Sequence, residues 1–436
     1  MKTAKATADR CDRAATVIVA SIALVAIFAP AAYATNGYLI HGIGTRAKAL
    51  AGAGVALPQD ALAAGINPAG MAWIGKRYDA GLGFFNPNRE YTITGNPSGF
   101  PGTLGLIPGT VESSSELFFV PNFGANWELS PHSSFGLALY GQGGMNTDYP
   151  TATFLGSSPT GVNLSQLFIV PTYATKFGNE FHSIGFSPII AYQTFEAEGI
   201  QAFGMFSSNP AALSNNGADD STGFGVKVGY LGQFTPQFYL GFAYQTEIAM
   251  DEFSDYAGLF AGGGDFDIPS NYVVGFAYKL GGNAVFVLDY QEIFYTDVAA
   301  VGNPLFPALD RAFMGDSSGL LGSPTGPGFG WEDMTVIKAG LQWGSGDWTY
   351  RLGYSTTDQP VPPSEVLFNI LAPGVVEDHL TIGFTREMGS RALSFSLMHA
   401  PAVSVTGPNP LEAPGFQTIT IQMEQWDLEI GFTWGR

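Results

Sequence analysis

The chain carries a single cysteine, Cys11, in 436 residues, and only 13% of its residues are charged, against roughly 25% in soluble domains. One thiol excludes an intramolecular disulfide framework and any metal site built on cysteines. Bases are fewer than acids, 18 Lys and Arg against 37 Asp and Glu, a formal net charge of −19. A surface of that sign repels nucleic acid, so nucleic-acid binding is excluded. The five histidines are scattered. No Ser/His/Asp grouping converges and no metal-ligand spacing is present, so no catalytic residue, metal or cofactor is assigned. Asp265-Phe266-Asp267 starts like a calcium loop, but position six is Ser270 in place of glycine, which rules out an EF-hand. Long apolar runs are missing as well: hydrophobic residues make up 46% of the chain, yet beyond the N-terminal region no stretch reaches the ~20 residues of a spanning helix.

What is present begins with a leader. Lys2, Lys5, Arg10 and Arg13 precede an apolar run from Ala14 to Ala29, and Ala32-Tyr33-Ala34 supplies small residues around a cleavage site. Residues 1–34 are therefore expected to be a secretory signal peptide. Four of the 18 bases and two of the 37 acids lie there, leaving 14 against 35 and a mature net charge of −21.

Behind the leader, apolar residues recur at every second position in fourteen short segments. The cleanest is Leu117 to Leu129, where Leu117, Phe119, Phe123, Ala125, Trp127 and Leu129 share one parity and Asn122, Gly124, Asn126 and Glu128 the other. Successive strand side chains point to opposite faces, so one face is apolar and one polar. The series opens with Tyr78/Ala80/Leu82/Phe84 and closes with Trp426/Leu428/Ile430/Phe432/Trp434. With so few charges, the apolar face is expected to meet lipid and the small or polar face a lumen: an all-β, 14-stranded antiparallel transmembrane β-barrel. An even count returns both termini to one side. Short turns are expected near Ser130-Pro131, Gly178-Asn179, Thr235-Pro236, Gly281-Gly282, Ser345-Gly346 and Gly389-Ser390, alternating with long loops, so the short turns face the periplasm. At Ser345-Gly346 a two-residue loop is expected, pairing Gly344 with Asp347. Trp127, Trp343, Trp348 and Trp434 fall near the short turns, as an aromatic girdle would.

Residues 35–76 differ. Gly42, Gly44, Gly52 and Gly54 punctuate an Ala-rich stretch without alternation. An unplugged barrel of this size is a water channel, and a compact segment of small residues is suited to fill it. The expected organisation is a signal peptide over 1–34, an N-terminal plug or hatch over 35–76, and the barrel over 77–436.

On these residues the chain resembles the FadL family of outer-membrane transporters for long-chain fatty acids and other hydrophobic compounds, which includes TodX-type aromatic-hydrocarbon channels. The resemblance rests on the glycine-rich hatch with Pro58-Gln59-Asp60-Ala61 and Asn67-Pro68-Ala69-Gly70. It also rests on Trp348-Thr349-Tyr350-Arg351-Leu352-Gly353-Tyr354 followed by Asp358-Gln359-Pro360-Val361-Pro362. It implies a Gram-negative outer-membrane location, capture among outer loops, an inner ligand pocket, and sideways exit through a kinked third strand. Here that strand ends in Tyr140-Gly141-Gln142-Gly143-Gly144, and Gly141, Gly143 and Gly144 are where a ladder can break. Partners implied are hydrophobic small molecules (fatty acids or hydrocarbons), outer-membrane lipids and the barrel assembly machinery, with the protein a monomer. Two departures stand out. Gly435-Arg436 follow Trp434 where relatives usually end on an aromatic residue, and His379 stands just before strand twelve where many relatives carry arginine.

Ligand-binding candidates come from loops and lumen. After strand seven, Phe253, Tyr256, Leu259 and Phe260 have helical spacing, and after strand five come Ile200, Phe203, Met205, Phe206 and Leu213. Exposed apolar patches on a rim can capture hydrophobic ligands, or the two loops can pack on each other. Val366, Leu367, Phe368, Ile370 and Leu371 are expected to roof the barrel. Lumen parity singles out Lys338 and Arg351, suited either to a ligand carboxylate or to pairing with Asp289 or the hatch; His379 joins them as a candidate. Three functions stay open: an uptake channel for fatty acids or aromatic hydrocarbons, a general porin, and a barrel enzyme.

Overall fold

The computed structural model describes residues 35–99, 102–281 and 283–435. Residues 1–34, the expected signal peptide, together with residues 100–101, Gly282 of one expected turn and Arg436, lie outside the described residues. Fourteen long strands follow in order: β1 (Arg77–Gly95), β2 (Phe118–Ser130), β3 (Ser133–Asn146), β4 (Gly161–Phe177), β5 (His182–Glu198), β6 (Asp219–Gln233) and β7 (Phe238–Gln245). Then come β8 (Asn271–Gly281), β9 (Ala284–Ile293), β10 (Met334–Ser345), β11 (Trp348–Thr357), β12 (Asp378–Met388), β13 (Arg391–Pro408) and β14 (Gln417–Trp434). Each pairs antiparallel with the next, and β14 closes on β1 from Gln417↔Gly95 to Trp434↔Tyr78. Short pieces at 35–36, 39–40, 109–112 and 249–250 join the same sheet.

The alternation decides the faces. Leu82, Phe119, Phe186, Ile190, Phe224, Ile337, Leu352, Ile382 and Ile430 are exposed on the outside, whereas Asn122, Gln193, Asp289, Lys338, Arg351, Asp427 and Glu429 are buried inside. Closure removes the sheet edges that lipid cannot satisfy. At the short-turn end Tyr78 stacks on Trp434 at 5.7 Å between ring centroids and Trp348 on Tyr350 at 6.2 Å, forming part of the girdle.

The turn between β10 and β11 has two residues, but they are Gly346 and Asp347: Ser345 pairs with Trp348 and Gly344 with Thr349, so the expected Gly344–Asp347 pair is corrected by one position. The cause is local. Gly346 has φ +58°, a conformation glycine adopts without a Cβ clash, so it takes the first central place. Side-chain parity is unchanged, and Trp343 faces Tyr350 on the outer wall.

Residues 35–76 lie against the inner wall. They form two single-turn helices, Thr45–Lys48 and Ala63–Ile66, and a 3-10 stretch, Pro68–Trp73. Small residues make this approach possible on both sides. A Cβ added to Gly353 of β11 would sit 2.3 Å from the Leu50 carbonyl carbon, and one added to Gly241 of β7 would sit 2.2 Å from the Val55 oxygen.

Candidate functional site

Inward-facing polar side chains of the wall hold the N-terminal segment. Lys48 Nζ lies 2.6 Å from Asp427 Oδ2 and 2.9 Å from Glu429 Oε2, with all three side chains buried. Thr45 Oγ1 donates to Glu429 at 2.7 Å. Asp289 Oδ2 accepts from the backbone N–H groups of Gly54 (2.7 Å) and Val55 (2.9 Å). Asn67 caps the 3-10 stretch by accepting from Ala69 N–H, and its amide donates to Val55 O at 2.7 Å and Tyr230 O at 2.9 Å. Of the motif Asn67-Pro68-Ala69-Gly70, asparagine thus ties the segment to β6, proline starts the 3-10 turn, and Ala69 O accepts from Ser183 of β5.

The two singled-out lumen bases point into this same contact. Lys338 pairs opposite Asp289 in the β9–β10 register and donates to His41 O at 3.1 Å. Arg351 Nη2 donates to Gln59 Oε1 at 2.7 Å, and its other nitrogens reach Gln342 and Thr385. His379 lies within β12 rather than before it, fully buried, with Ser355 3.1 Å from Nδ1 and its ring stacked on His41 at 5.4 Å. His399 faces outward by Trp426 and Glu424, so the two histidines of the last strands do not meet.

A break in the ladder lies at the third strand. Pairing of β2 with β3 stops at Asn122↔Tyr140, although both strands continue. The register of β3 against β4 shifts between Gly141 and Gly143, which leaves Gln142 as a bulge. Beyond the break β3 takes its partner from the N-terminal segment instead: Leu39 pairs with Gly143, and Gly144 N–H donates to Tyr38 O at 3.1 Å. Gly143 has to be glycine here, since a Cβ would fall 2.1 Å from that oxygen. The next residue of β2, Pro121, has no N–H to leave unpaired.

Above the break the outer loops form an apolar roof. Phe203, Phe206, Phe253, Tyr256 and Phe260 are all buried, as are Val366, Leu367, Phe368, Ile370 and Leu371. The two loops pack on each other and on the strands rather than lining an open rim. Phe195 lies 4.7 Å from Phe260, and Phe203 lies 5.6 Å from Phe368. The helical spacing at 253–260 yields one 3-10 turn, Ser254–Tyr256, and Gly262 and Gly263 take positive φ just beyond. Beside Phe266, burial and then the neighbouring Asp267 push the Asp265 carboxyl up to about 6. Replacing Phe253 and Phe260 by serine is expected to loosen this roof by about 3–5 kcal/mol per ring. Hydrogen exchange should then accelerate over 253–268 with the barrel strands unaffected; unchanged exchange would show that the rings do not hold the roof.

Beneath the roof sits a small pocket with Tyr38, Phe85, Met145, Trp331 and Met423 around it and one base, Arg89 of β1. Tyr38 packs on Tyr295 at 5.3 Å and on Trp331 at 5.9 Å. Sequence reasoning singled out two lumen bases, whereas Arg77, Arg89 and Lys227 are buried on the inner wall too. The signal for Arg89 was its parity with Arg77, Asp79 and Phe85, visible only if β1 is continued outward to Gly95.

A profile of the family described as "Outer membrane protein transport protein (OMPP1/FadL/TodX)" matches residues 21–297. No curated protein sequence matches the chain. Its fold is similar to that of the Pseudomonas putida toluene transporter TodX, at 15% identity and a TM-score of 0.65 over 92% of this chain and 99% of that one. It is also similar to a Pseudomonas aeruginosa FadL homologue (15%, 0.66, 91% and 99%) and to the Ralstonia pickettii toluene transporter TbuX (16%, 0.60, 90% and 98%).

Proposed function

The chain belongs to the outer-membrane transport protein family OMPP1/FadL/TodX, and from that premise we propose that it is a channel for uptake of hydrophobic compounds such as long-chain fatty acids. Ligand enters through the apolar outer loops, is held in the pocket beneath them, and leaves sideways into the outer membrane between β2 and β3. Residues 35–76 act as the hatch that closes the lumen to water. The observation that carries the reading is the interrupted ladder. A wall that stops pairing at Asn122↔Tyr140, and whose Gly143 is paired from inside by Leu39, leaves a seam between the apolar pocket and lipid. Lipid tolerates unpaired strand edges badly, so such a break persists only where something else satisfies it. The segment that does so here belongs to the hatch, which links hatch position to the state of the seam. A water-filled porin has no need of a roof of buried aromatic rings, and none of the polar clusters described above has the layout of a hydrolase.

The test is to staple the seam. Continuing the β2–β3 register would set Val120 opposite Gln142, so Val120→Cys with Gln142→Cys, in a chain whose one other cysteine is Cys11, can be oxidised to close it. Cells expressing the oxidised double variant are expected to lose at least ~90% of labelled oleate uptake, a tenfold fall worth about 1.4 kcal/mol. Reductant should restore it. Full uptake with the cross-link verified by mass would rule out lateral exit.

A further inference from the structure

The lipid face of β9 to β14 carries a groove, on an arc of the wall clear of the β2–β3 seam. In the register that crosses these strands, Leu288, Ala339, Tyr354, Leu380, His399 and Trp426 lie side by side on the outside. Ala339 is the small member of that row, and its neighbours in the next row toward the short turns, Leu341 and Leu352, are bulky. The hollow over Ala339 and the backbones of Gly340 and Gly353 is an open groove of about 520 Å³, walled by Phe286, Tyr354, Leu380 and Ile382 and ending at His399 and Trp426. That is the size of a ligand site, ~300–1,000 Å³. Trp426 lies eight positions before Trp434, which stands in the girdle at the short-turn end. At ~3.4 Å per residue and a tilt of ~40° the separation is about 20 Å along the membrane normal. The apolar band of such a barrel is ~25 Å tall, so the upper end of the groove lies at the outer-leaflet interface.

The charges at that end have one sign. Glu424 stands two positions beyond Trp426 and Asp378 two positions beyond Leu380, both on the same outer face. His399 Nε2 lies 3.0 Å from Glu424 Oε1, and its ring stacks on Trp426 at 4.0 Å. The register of β13 against β14 shifts between Ala400 and Val403, so Glu424 sits opposite a bulge that frees its side chain to turn back toward His399. Tyr354 Oη donates to Asp378 Oδ1 at 2.7 Å. Among the described residues neither acid forms an ion pair with Lys or Arg. On these strands Lys338 and Arg351 are buried inside, and Arg386 and Arg391 lie at the short-turn end. No Lys or Arg of β9 to β14 therefore stands on the outer face above the short turns. A phosphate alone would meet two carboxylates there, whereas an ammonium would meet charge-assisted acceptors.

We propose that this groove binds a lipid whose headgroup carries a protonated amine. One acyl chain lies over Ala339, and the ammonium is held by Glu424, with His399 positioning that carboxylate and Asp378 adding to the negative field. The site is independent of what the lumen carries. It backs the wall that holds the N-terminal segment, because Leu50 approaches Gly340 and Gly353 from the opposite side.

The full-length protein, stripped of lipid in a short-chain non-ionic detergent, is incubated with dipalmitoyl phosphatidylethanolamine or with dipalmitoyl phosphatidylglycerol, which lacks the amine. Native mass spectrometry then counts the lipid retained. The first bound phosphatidylethanolamine is expected to be favoured over phosphatidylglycerol roughly fivefold, the upper range for one partly exposed ion pair. Glu424→Gln should bring the two lipids level by lowering phosphatidylethanolamine alone, and Ala339→Phe, which fills the floor of the groove, should lower its retention several-fold. Equal retention by the native protein, or undiminished phosphatidylethanolamine in Glu424→Gln, would overturn the proposal. A preference for phosphatidylglycerol that appears with Mg²⁺ and vanishes with a chelator would overturn it too, in favour of an anionic lipid bridged by metal. Dimers in place of a lipid-bound monomer would make the face an interface between copies and likewise end the proposal. Should Ala339→Phe not form a heat-modifiable barrel, Ala339→Leu fills the same space with less bulk, and unchanged retention in the filled variant would place the lipid elsewhere.

Discussion

Deleting residues 35–76 is expected to turn a nearly silent protein into a conducting pore in planar bilayers, with a rise in single-channel conductance on the order of tenfold or more, as for barrels whose lumen is open. The wall does not need the segment in order to close: thirteen successive pairings and the β14–β1 seam make the ring, and among the described residues Leu39↔Gly143 is the one strand pairing that the wall shares with the segment. The groups that the deletion uncovers are polar. Asp289, Lys338, Arg351, Asp427 and Glu429 face inward, and once water replaces the segment they are hydrated, as lumen side chains of open barrels are. The deletion should therefore fold and insert yet leak. A deleted protein that folds as a barrel and stays silent would show that the outer loops alone seal it.

How much of this was legible beforehand depended on the range of the interaction involved. The face of each strand was, because Phe186, Ile190 or Leu352 meets lipid through a period of two that needs no knowledge of neighbours. The β10–β11 turn was legible to within one residue. Gly344 and Gly346 both permit a tight loop, and the choice fell to the positive φ at Gly346. The weak point of β3 was legible from its glycines. Its replacement partner was not, since Leu39 lies about a hundred residues upstream and the pairing depends on where the N-terminal segment comes to rest. The loop aromatics gave their identity but not their exposure. Phe253 and Phe260 are compatible with an open rim or a packed roof, and only contact with Phe195 and Phe266 decides it. Arg89 illustrates the same limit. Parity places it inside, but that it lacks a counter-ion is a fact about every other acid in the fold.

Lys48→Met should loosen the N-terminal segment more than loss of the wall anchor Arg351 does. The reason is a comparison of what each anchor leaves behind. Arg351→Met would leave a neutral amide, Gln59, short of a donor, a loss of about 1–3 kcal/mol. Lys48→Met leaves two carboxylates, Asp427 and Glu429, buried side by side without a cation. Glu429 keeps donors from Thr45 and Asn122, whereas Asp427 loses its Lys48 bond at 2.6 Å. Breaking a buried pair from one side costs about 3–5 kcal/mol, which shifts the equilibrium toward a segment displaced from β14 by a factor of roughly 10² to 10⁴. The expected result is leak conductance approaching that of the deletion, with cleavage by added protease appearing within 45–54. Neutralising both acids in the same chain, as Lys48→Met with Asp427→Asn and Glu429→Gln, removes the uncompensated charge. Most of the seal should return, because replacing a whole buried ion cluster is far less costly than breaking it. If Lys48→Met stays sealed and protected, the triad contributes nothing to holding the segment, and the backbone contacts to Asp289 and Asn67 must suffice.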